Sequence, residues 1–410
     1  MRNHYSLTGK RAAVILYSTY PSDPRPNRAA EAMIEAGLNV DLLCLSESEL
    51  DAREETIGGV HVRRISMRRQ RGSKVSYLLQ DGRFFFAAFW FLTSRGLRKK
   101  YDFVHVHNMP DFLIFSALLP KLRGARLILD LHDPMPELMV TIYDLKPGQW
   151  LVRMLLFLER RCIRFSHTVL TPNIAFKTLF VSRSGCRDEK IQIVMNSPRE
   201  KVFNPDRFSA EPSTISQTDE FRIMHHGSIV HRHGIDLLVE AVALVRPKIA
   251  GIRLDLYGTK TTFLDAVLVR AHELNIEDIV HYHGAKTQQE ISAIIRECHL
   301  GVVPNRRSLF TEINFPTRLF EYLSMHRPVI APSTQGIRDY FSDRQMIFFR
   351  PDDVADLAKQ IIWVAEHPRE TAACVREGIE VYRNHLWSQE KNRFVEMLTN
   401  LSANPKPASI

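Results

Sequence analysis

The chain has 410 residues, 45% hydrophobic and 25% charged, too long for one ordinary core and too apolar for a disordered chain, so two domains are expected. Its net charge of +9 admits an anionic membrane or a phosphorylated substrate as partner, while no recognition motif points to nucleic acid, which is not expected as a partner. The five cysteines, Cys44, Cys162, Cys186, Cys298 and Cys374, are scattered, with no CxxC pair and no Cys/His cluster at ligand spacing, which excludes a disulfide framework and fits a reduced, cytoplasmic setting.

The opening MRNHYSLTGKRAAVILY passes from a polar start into a short strand-like run, without the apolar core and small-residue cleavage site of a secretory signal, so export is not expected. Strands are then predicted at AAVILY, VDLLCL, DFVHVH, ARLILDLH, TVLT and IQIVMN, and helices over residues 28–36, 112–122 and 150–165. This alternation predicts a parallel sheet with crossover helices. Between them, residues 63–100 set basic clusters around the apolar run FFFAAFWFL. That run is too short to span a bilayer, for which about 20 apolar residues are needed. It reads either as a basic-aromatic segment lying on anionic lipid or as an ordinary buried helix with solvated basic ends.

Residues 198–219 are rich in proline, serine and charge and read as a linker. Alternation restarts at FRIMHHG and continues through RLDLYG, IVHYHG and LGVVP, with helices predicted over residues 235–245 and 316–325. Residues 1–197 and 220–384 are therefore two Rossmann-like domains, and residues 385–410 a C-terminal helix and tail.

Ligands of open parallel sheets bind beyond the carboxyl ends of the strands. There the segment TEINFPTRLFEYLSMHR, residues 311–327, is the most informative. Asn314 or Phe315 is expected to cap a helix with Pro316 in its first turn, whose free amides form an anion site. Thr317 and Glu321, four residues apart, share a face about 6 Å in extent. Phosphate at the helix start would take backbone N–H groups and the Thr317 hydroxyl, and Glu321 could accept both ribose hydroxyls of a nucleoside diphosphate. Taken alone, Glu321 also reads as a solvated helix residue.

The segment PTRLFEYLSMHRPVIA from Pro316 to Ala331, the loop and helix GSIVHRHGIDLLVEA from Gly227, and the strand ends VHVHNMPDF and LDLHDPMPE resemble the family 4 glycosyltransferases of the GT-B fold over nearly the whole chain. The resemblance implies two Rossmann-like domains facing a central cleft, the first for an acceptor and the second for a nucleotide-sugar donor. It implies transfer of a sugar to a hydroxyl with retention of configuration. Glu321 matches the second Glu of the family's E-x7-E pattern. The first falls at Ile313, with Glu312 one place off. The family's usual Arg and Lys fall at Ser228 and His233.

The departing diphosphate still requires a cation. Arg232 is the expected one, with Arg318 as the alternative. Donor contacts are expected from Gly227, Ser228, His233, Asn314, Phe315, Pro316, Thr317, Arg318 and Glu321. His132, at a strand end, matches the family's histidine beside the transferred sugar, although a lone histidine there also reads as structural. Arg25, Arg28, Asn108, Asp111, Asp133 and Glu137 are the acceptor-side candidates; the first loop lacks the glycine pair of many relatives.

No Asp-x-Asp occurs, so no metal and no cofactor are expected, the nucleotide-sugar being a substrate. The expected acceptor is a glycan or lipid-linked glycan in surface-polysaccharide or glycolipid assembly, and the expected location is the cytoplasm, on the inner face of an anionic membrane. Two rivals stay open, a sugar-nucleotide epimerase on the same fold and a catalytically silent binding protein. A nicotinamide dehydrogenase is disfavoured, since no G-x-G-x-x-G follows a strand.

Overall fold

A computed structural model describes residues 7–48, 50–67, 74–207 and 220–403, with the side chains of residues 74–78 left out. It divides into two compact units, the first comprising Met1–Met195 and Glu390–Ile410 and the second Asn196–Gln389.

The first unit is an eight-stranded sheet: β1 (Arg11–Thr19), β2 (Asn39–Leu45), β3 (Glu54–Ile57), β4 (Val60–Ile65), β5 (Phe103–His107), β6 (Arg126–Asp130), β7 (Thr168–Thr171) and β8 (Ile191–Ile193). Their spatial order is β3-β4-β2-β1-β5-β6-β7-β8. Only β3 runs antiparallel, as the other arm of a hairpin with β4. The central strands read as nearly continuous buried runs, Ala12 to Leu16 and Leu127 to Leu129 for example, because helices cover both faces of a parallel sheet. Helix ends are set locally: Asn173 accepts from Phe176 N at 2.7 Å and so starts the Ile174–Ser184 helix, which Gly185 closes in the left-handed region at φ 66°.

The second unit is a six-stranded, wholly parallel sheet of β9 (Phe221–His226), β10 (Ile252–Tyr257), β11 (Val280–Tyr282), β12 (Leu300–Val302), β13 (Val329–Pro332) and β14 (Ile347–Phe349), in the order β11-β10-β9-β12-β13-β14. β9 and β12 are its middle pair. The C-terminal helix Trp387–Ala403 belongs from Glu390 onward to the first unit. There Glu390 accepts from Met195 N at 2.9 Å, Lys391 pairs with Glu35 at 2.7 Å, and Phe394 lies against His105.

Several local expectations shift. The first helix is Pro24–Glu35, capped by Asp23, because a proline in the first turn starts a helix rather than marking a loop. In place of one helix over 112–122 stand a 3-10 segment, Asp111–Ala117, and a short helix, Leu118–Leu122. Residues 79–92 of the basic-aromatic segment lie within the Lys74–Arg98 helix; residues 68–73 lie outside the described residues, as do 208–219 of the expected linker, whose earlier part ends in the 3-10 turn Pro205–Arg207.

Candidate functional site

In the second unit the carboxyl end of β9 faces the short helix Arg318–Ser324. His226, the last residue of β9, joins them: its Nε2 lies 2.6 Å from Glu321 Oε2 and its Nδ1 2.9 Å from the Tyr322 hydroxyl. Tyr322 donates its one hydroxyl proton to Met224 O at 3.0 Å, so its oxygen accepts from His226 Nδ1–H. A further proton must then lie between His226 Nε2 and Glu321 Oε2, as either an imidazolium–carboxylate pair or an imidazole–carboxylic acid pair. Glu321, with a side chain 13% exposed, thus has one oxygen fixed and Oε1 unengaged.

Arg318, on the same helix, donates from Nη1 to His226 O at 2.7 Å and to His225 Nε2 at 3.1 Å. His225 donates from Nδ1 to Val302 O at 2.9 Å, leaving Nε2 as the acceptor that Arg318 needs. Burial, and then the Arg318 charge, hold the His225 pKa far below its ordinary value. Burial also lowers the pKa of Arg318. Gly227 makes the approach feasible. Its φ is +123°, and a Cβ there would stand 2.9 Å from Arg318 Nη1.

His233 does not replace the missing lysine as a cation. Its Nδ1 donates to Ser228 O at 2.6 Å, and burial, with Arg318 nearby, lowers its pKa to about 3. Arg232 follows His231 in a one-turn 3-10 helix; its backbone carbonyl receives Arg306 N at 3.0 Å. Two guanidinium groups, those of Arg232 and Arg318, belong to this loop and to the helix beside it.

The helix cap differs from expectation. Asn314 closes the preceding helix Leu309–Ile313, and Thr317, in helical conformation, precedes Arg318 at the start of the next. The break is short because Gly336 backs onto the carbonyls of Ile313 and Asn314, where a Cβ would clash at 2.4–2.5 Å. Phe315 is buried against Phe320, Tyr340 and Phe341, and Pro316 O takes the first helical bond, from Leu319 N. Thr317 Oγ1 accepts from Asn196 Nδ2 at 3.0 Å, so its hydroxyl proton stays free to donate. Glu312 is occupied elsewhere, pairing with Arg307 at 2.7 Å and accepting from Gln335 N at 3.2 Å.

In the first unit, β5 and β6 place three imidazoles around one carboxylate. Asp130 Oδ2 stands 3.4 Å from His105 Nε2 and 3.2 Å from His107 Nδ1, and Oδ1 stands 3.3 Å from His132 Nδ1. The alternation of a strand puts His105 and His107 on one face, and register sets His107 opposite Asp130. Burial raises the Asp130 pKa, but the two imidazoles outweigh it and hold the carboxylate below its ordinary range; burial lowers His105 to about 4. His105, His107 and Asp130 also lie close enough for one metal ion to bridge them, their ligand atoms being within 4.8 Å. His132, 17% exposed, has its backbone N–H held by Asn108 Oδ1 at 3.2 Å.

Asn108 also donates to Asp111 Oδ1 and Asp133 O, at 3.2 and 2.8 Å. Both Asn108 and Asp111 are buried, and burial raises the Asp111 pKa to about 7. Glu137 is tied to Arg183, which also pairs with buried Glu159 at 3.0 Å. Arg28 is buried and donates from Nε to Pro24 O at 3.2 Å. Arg25 has Nε and Nη1 buried with no hydrogen-bond partner among the described residues.

Comparison with known families gives two matches, a glycosyl transferase 4-like domain over residues 23–197 and glycosyl transferases group 1 over residues 220–367. The chain belongs to the group 1, family 4-type glycosyltransferases. Comparison with curated proteins finds no match. Among solved structures, sucrose-phosphate synthase from Thermosynechococcus elongatus is similar at TM-score 0.76 and 16% identity, over 96% of this chain and 99% of that one. WaaG, a glycosyltransferase involved in lipopolysaccharide biosynthesis, gives 0.71 and 13%, over 95% and 99%. Anabaena HepE in complex with UDP gives 0.69 and 14%, over 95% and 100%.

The fold of this glycosyltransferase is thus GT-B. His226, Asp130 and Asn196 were not singled out from the sequence. The doublet HH at the end of FRIMHHG was a visible signal for His226, but its partner lies 95 residues away.

Proposed function

We propose that this glycosyltransferase moves a sugar, with retention of configuration and without a metal, from a nucleotide donor to a hydroxyl of a glycan or lipid-linked acceptor in surface-polysaccharide or glycolipid assembly. The observation that carries the reading is Glu321: His226 fixes one carboxylate oxygen, and the other is left one turn below the start of the Arg318–Ser324 helix. The nucleoside's ribose would be held at Oε1. The diphosphate would lie at the helix start, where Thr317 has a hydroxyl proton to give; the amides of Leu319, Phe320 and Glu321 are already taken by Pro316 O and Thr317 O.

As the donor's C1–O bond breaks, charge develops on the departing diphosphate. Arg318 and Arg232 would stabilise it, in the role a metal fills in other glycosyltransferases. The acceptor oxygen bonds to C1 from the same face, and the leaving phosphate oxygen takes the acceptor proton. His132, held by Asp130 and Asn108, would orient the transferred sugar. The basic-aromatic segment 63–100 supports a lipid-linked acceptor at the cytoplasmic face of a membrane, and Arg25 an anionic group on it. No helix among the described residues is long and apolar enough to cross a membrane. The neutral His233, where relatives carry Lys, favours the silent binding protein as the second reading.

UDP-, GDP- and ADP-sugars are to be screened by thermal shift, with UDP-sugars first because HepE was solved with UDP-glucose. A donor at 100 times its Kd adds about 2.7 kcal/mol. NMR of the product should show the donor's anomeric configuration retained, with turnover unchanged by EDTA. An inverted product, or donor consumed without acceptor, overturns the reading.

A further inference from the structure

We infer that the outer faces of two helices in the first unit, Lys74–Arg98 and Trp150–Phe165, form one docking surface for an anionic lipid bilayer. This rests on the basic-aromatic reading of residues 63–100 and extends it to a second helix that the reading did not include.

On the first helix Leu79, Phe86, Trp90 and Leu97 recur at intervals of seven, four and seven, a single stripe of an α-helix. All four are exposed, Trp90 at 65%. On the second, Trp150, Met154 and Phe157 are spaced by four and three and are likewise exposed, Trp150 at 74%. The other exposed positions of that helix are four arginines, and no acidic residue is exposed on either helix among the described residues.

The two helices are fixed to a common support. Phe112 and Phe115 of the 3-10 segment Asp111–Ala117 meet Phe85 of the first helix at 6.0 Å and Phe165 of the second at 5.0 Å. Next in sequence, Leu122 is 75% exposed, while Lys121 sits 4.0 Å over the Phe165 ring. Beside Trp90 lies a cavity of about 560 Å³ whose lining includes Arg53, Arg63, Arg83 and Asp51. Neither Arg53 nor Arg83 has an ion-pair partner among the described residues.

Charge selects the occupant. Apolar stripes whose exposed charged neighbours on the two helices are all cations match the boundary of an anionic membrane, where indole and phenyl rings enter below the headgroups and arginines meet the phosphates. A second copy of the chain laid on this face would set cation against cation. The cavity beside Trp90 is then a headgroup pocket, with Arg53 and Arg83 as its phosphate donors.

Flotation of the full chain with phosphatidylglycerol–phosphatidylethanolamine vesicles tests this, with phosphatidylcholine vesicles as control. Wild type is expected to float with the anionic vesicles only. Trp150→Glu/Phe157→Glu and Arg160→Glu/Arg164→Glu should each weaken binding about tenfold or more, with melting temperature and donor-induced thermal shift unchanged. Trp90→Glu should do the same.

If Trp90→Glu weakens binding while both second-helix variants float like wild type, the narrower reading stands and this inference falls. Absence of wild-type flotation overturns both without touching donor binding. A dimer in light scattering that Trp150→Glu/Phe157→Glu dissociates would assign the face to a second copy instead.

Discussion

Each unit places a carboxylate beside imidazoles at the carboxyl end of a central strand, but in different ratios. In the second unit one acid, Glu321, meets one imidazole, His226, and the donors and acceptors from Tyr322 to Met224 form a single chain. In the first unit one acid, Asp130, is shared among His105, His107 and His132. The one-to-one arrangement leaves a fixed carboxylate with a spare oxygen, which is what a binding site needs. In the three-to-one arrangement burial lowers the His105 pKa to about 4, so part of the protein's response to acid should come from the first unit.

The sharpest way to break this contrast is Glu321→Ala. It removes a charged acceptor, worth about 1.5–3 kcal/mol, and strands His226 in a buried site. Activity, as kcat/KM, should fall about ten- to a hundredfold and the donor-induced thermal shift should weaken to match. Glu321→Gln, which keeps size but loses charge, should recover part of the donor binding. Unchanged kcat/KM in Glu321→Ala would reject the donor site.

The acid response tests the other half. Burial lowers His105 to about 4, from an ordinary 6.5. Between those values the unfolded chain binds a proton that the folded chain does not, so stability falls as pH drops from 6.5 to 4 and levels off below. The contribution of His105 is about 3 kcal/mol over that window. Asp130, held below the ordinary carboxylate range, adds stability that is present above its unfolded value of 3.8 and lost at lower pH. Urea unfolding across pH 4–7 should therefore be flatter in His105→Gln than in wild type. The share due to His233, lowered to about 3 in the second unit, should persist in that variant. An unaltered slope would show that His105 is not the titrating group.

Gly227→Ala probes the second unit's loop. At φ +123° an alanine is strained by about 1–3 kcal/mol, and its Cβ would push Arg318 away from His226 O. A lower melting temperature with weakened diphosphate binding is expected. Loss of stability alone would separate Gly227 from the site.

Much of this was legible because parallel strands buried on both faces leave continuous apolar runs: AAVILY, FRIMHH and RLDLY fall on β1, β9 and β10. The Ile235–Val245 and Trp150–Phe165 helices were legible to the residue. The edge hairpin β3–β4 was not, because EETI and VHVRRI carry charges on the exposed face and contain no apolar run. The PTRLFEY helix announced Glu321 and Arg318, but not what holds them. His226 and Gly227 reach that helix only through the β9–β12 crossover, a contact that no local pattern encodes. Asp130 escaped notice for the same reason, since within LDLHD it looks like the end of a strand until β5 brings His105 and His107 alongside.

The mildest change contrasts Glu321 with its neighbour. Glu312 is the carboxylate nearest the place where relatives carry the first Glu of the pair, yet its oxygens go to Arg307 and to the amide of Gln335. Arg307 is 60% exposed, so the pair is screened and worth at most about 1 kcal/mol. Glu312→Gln keeps an acceptor for Gln335 N–H and loses only the ion pair. Its kcat/KM should stay within about threefold of wild type and its melting temperature within a few degrees. A loss approaching that of Glu321→Ala would mean that Glu312 leaves Arg307 to reach the donor, and that the one-position displacement is compensated when substrate binds.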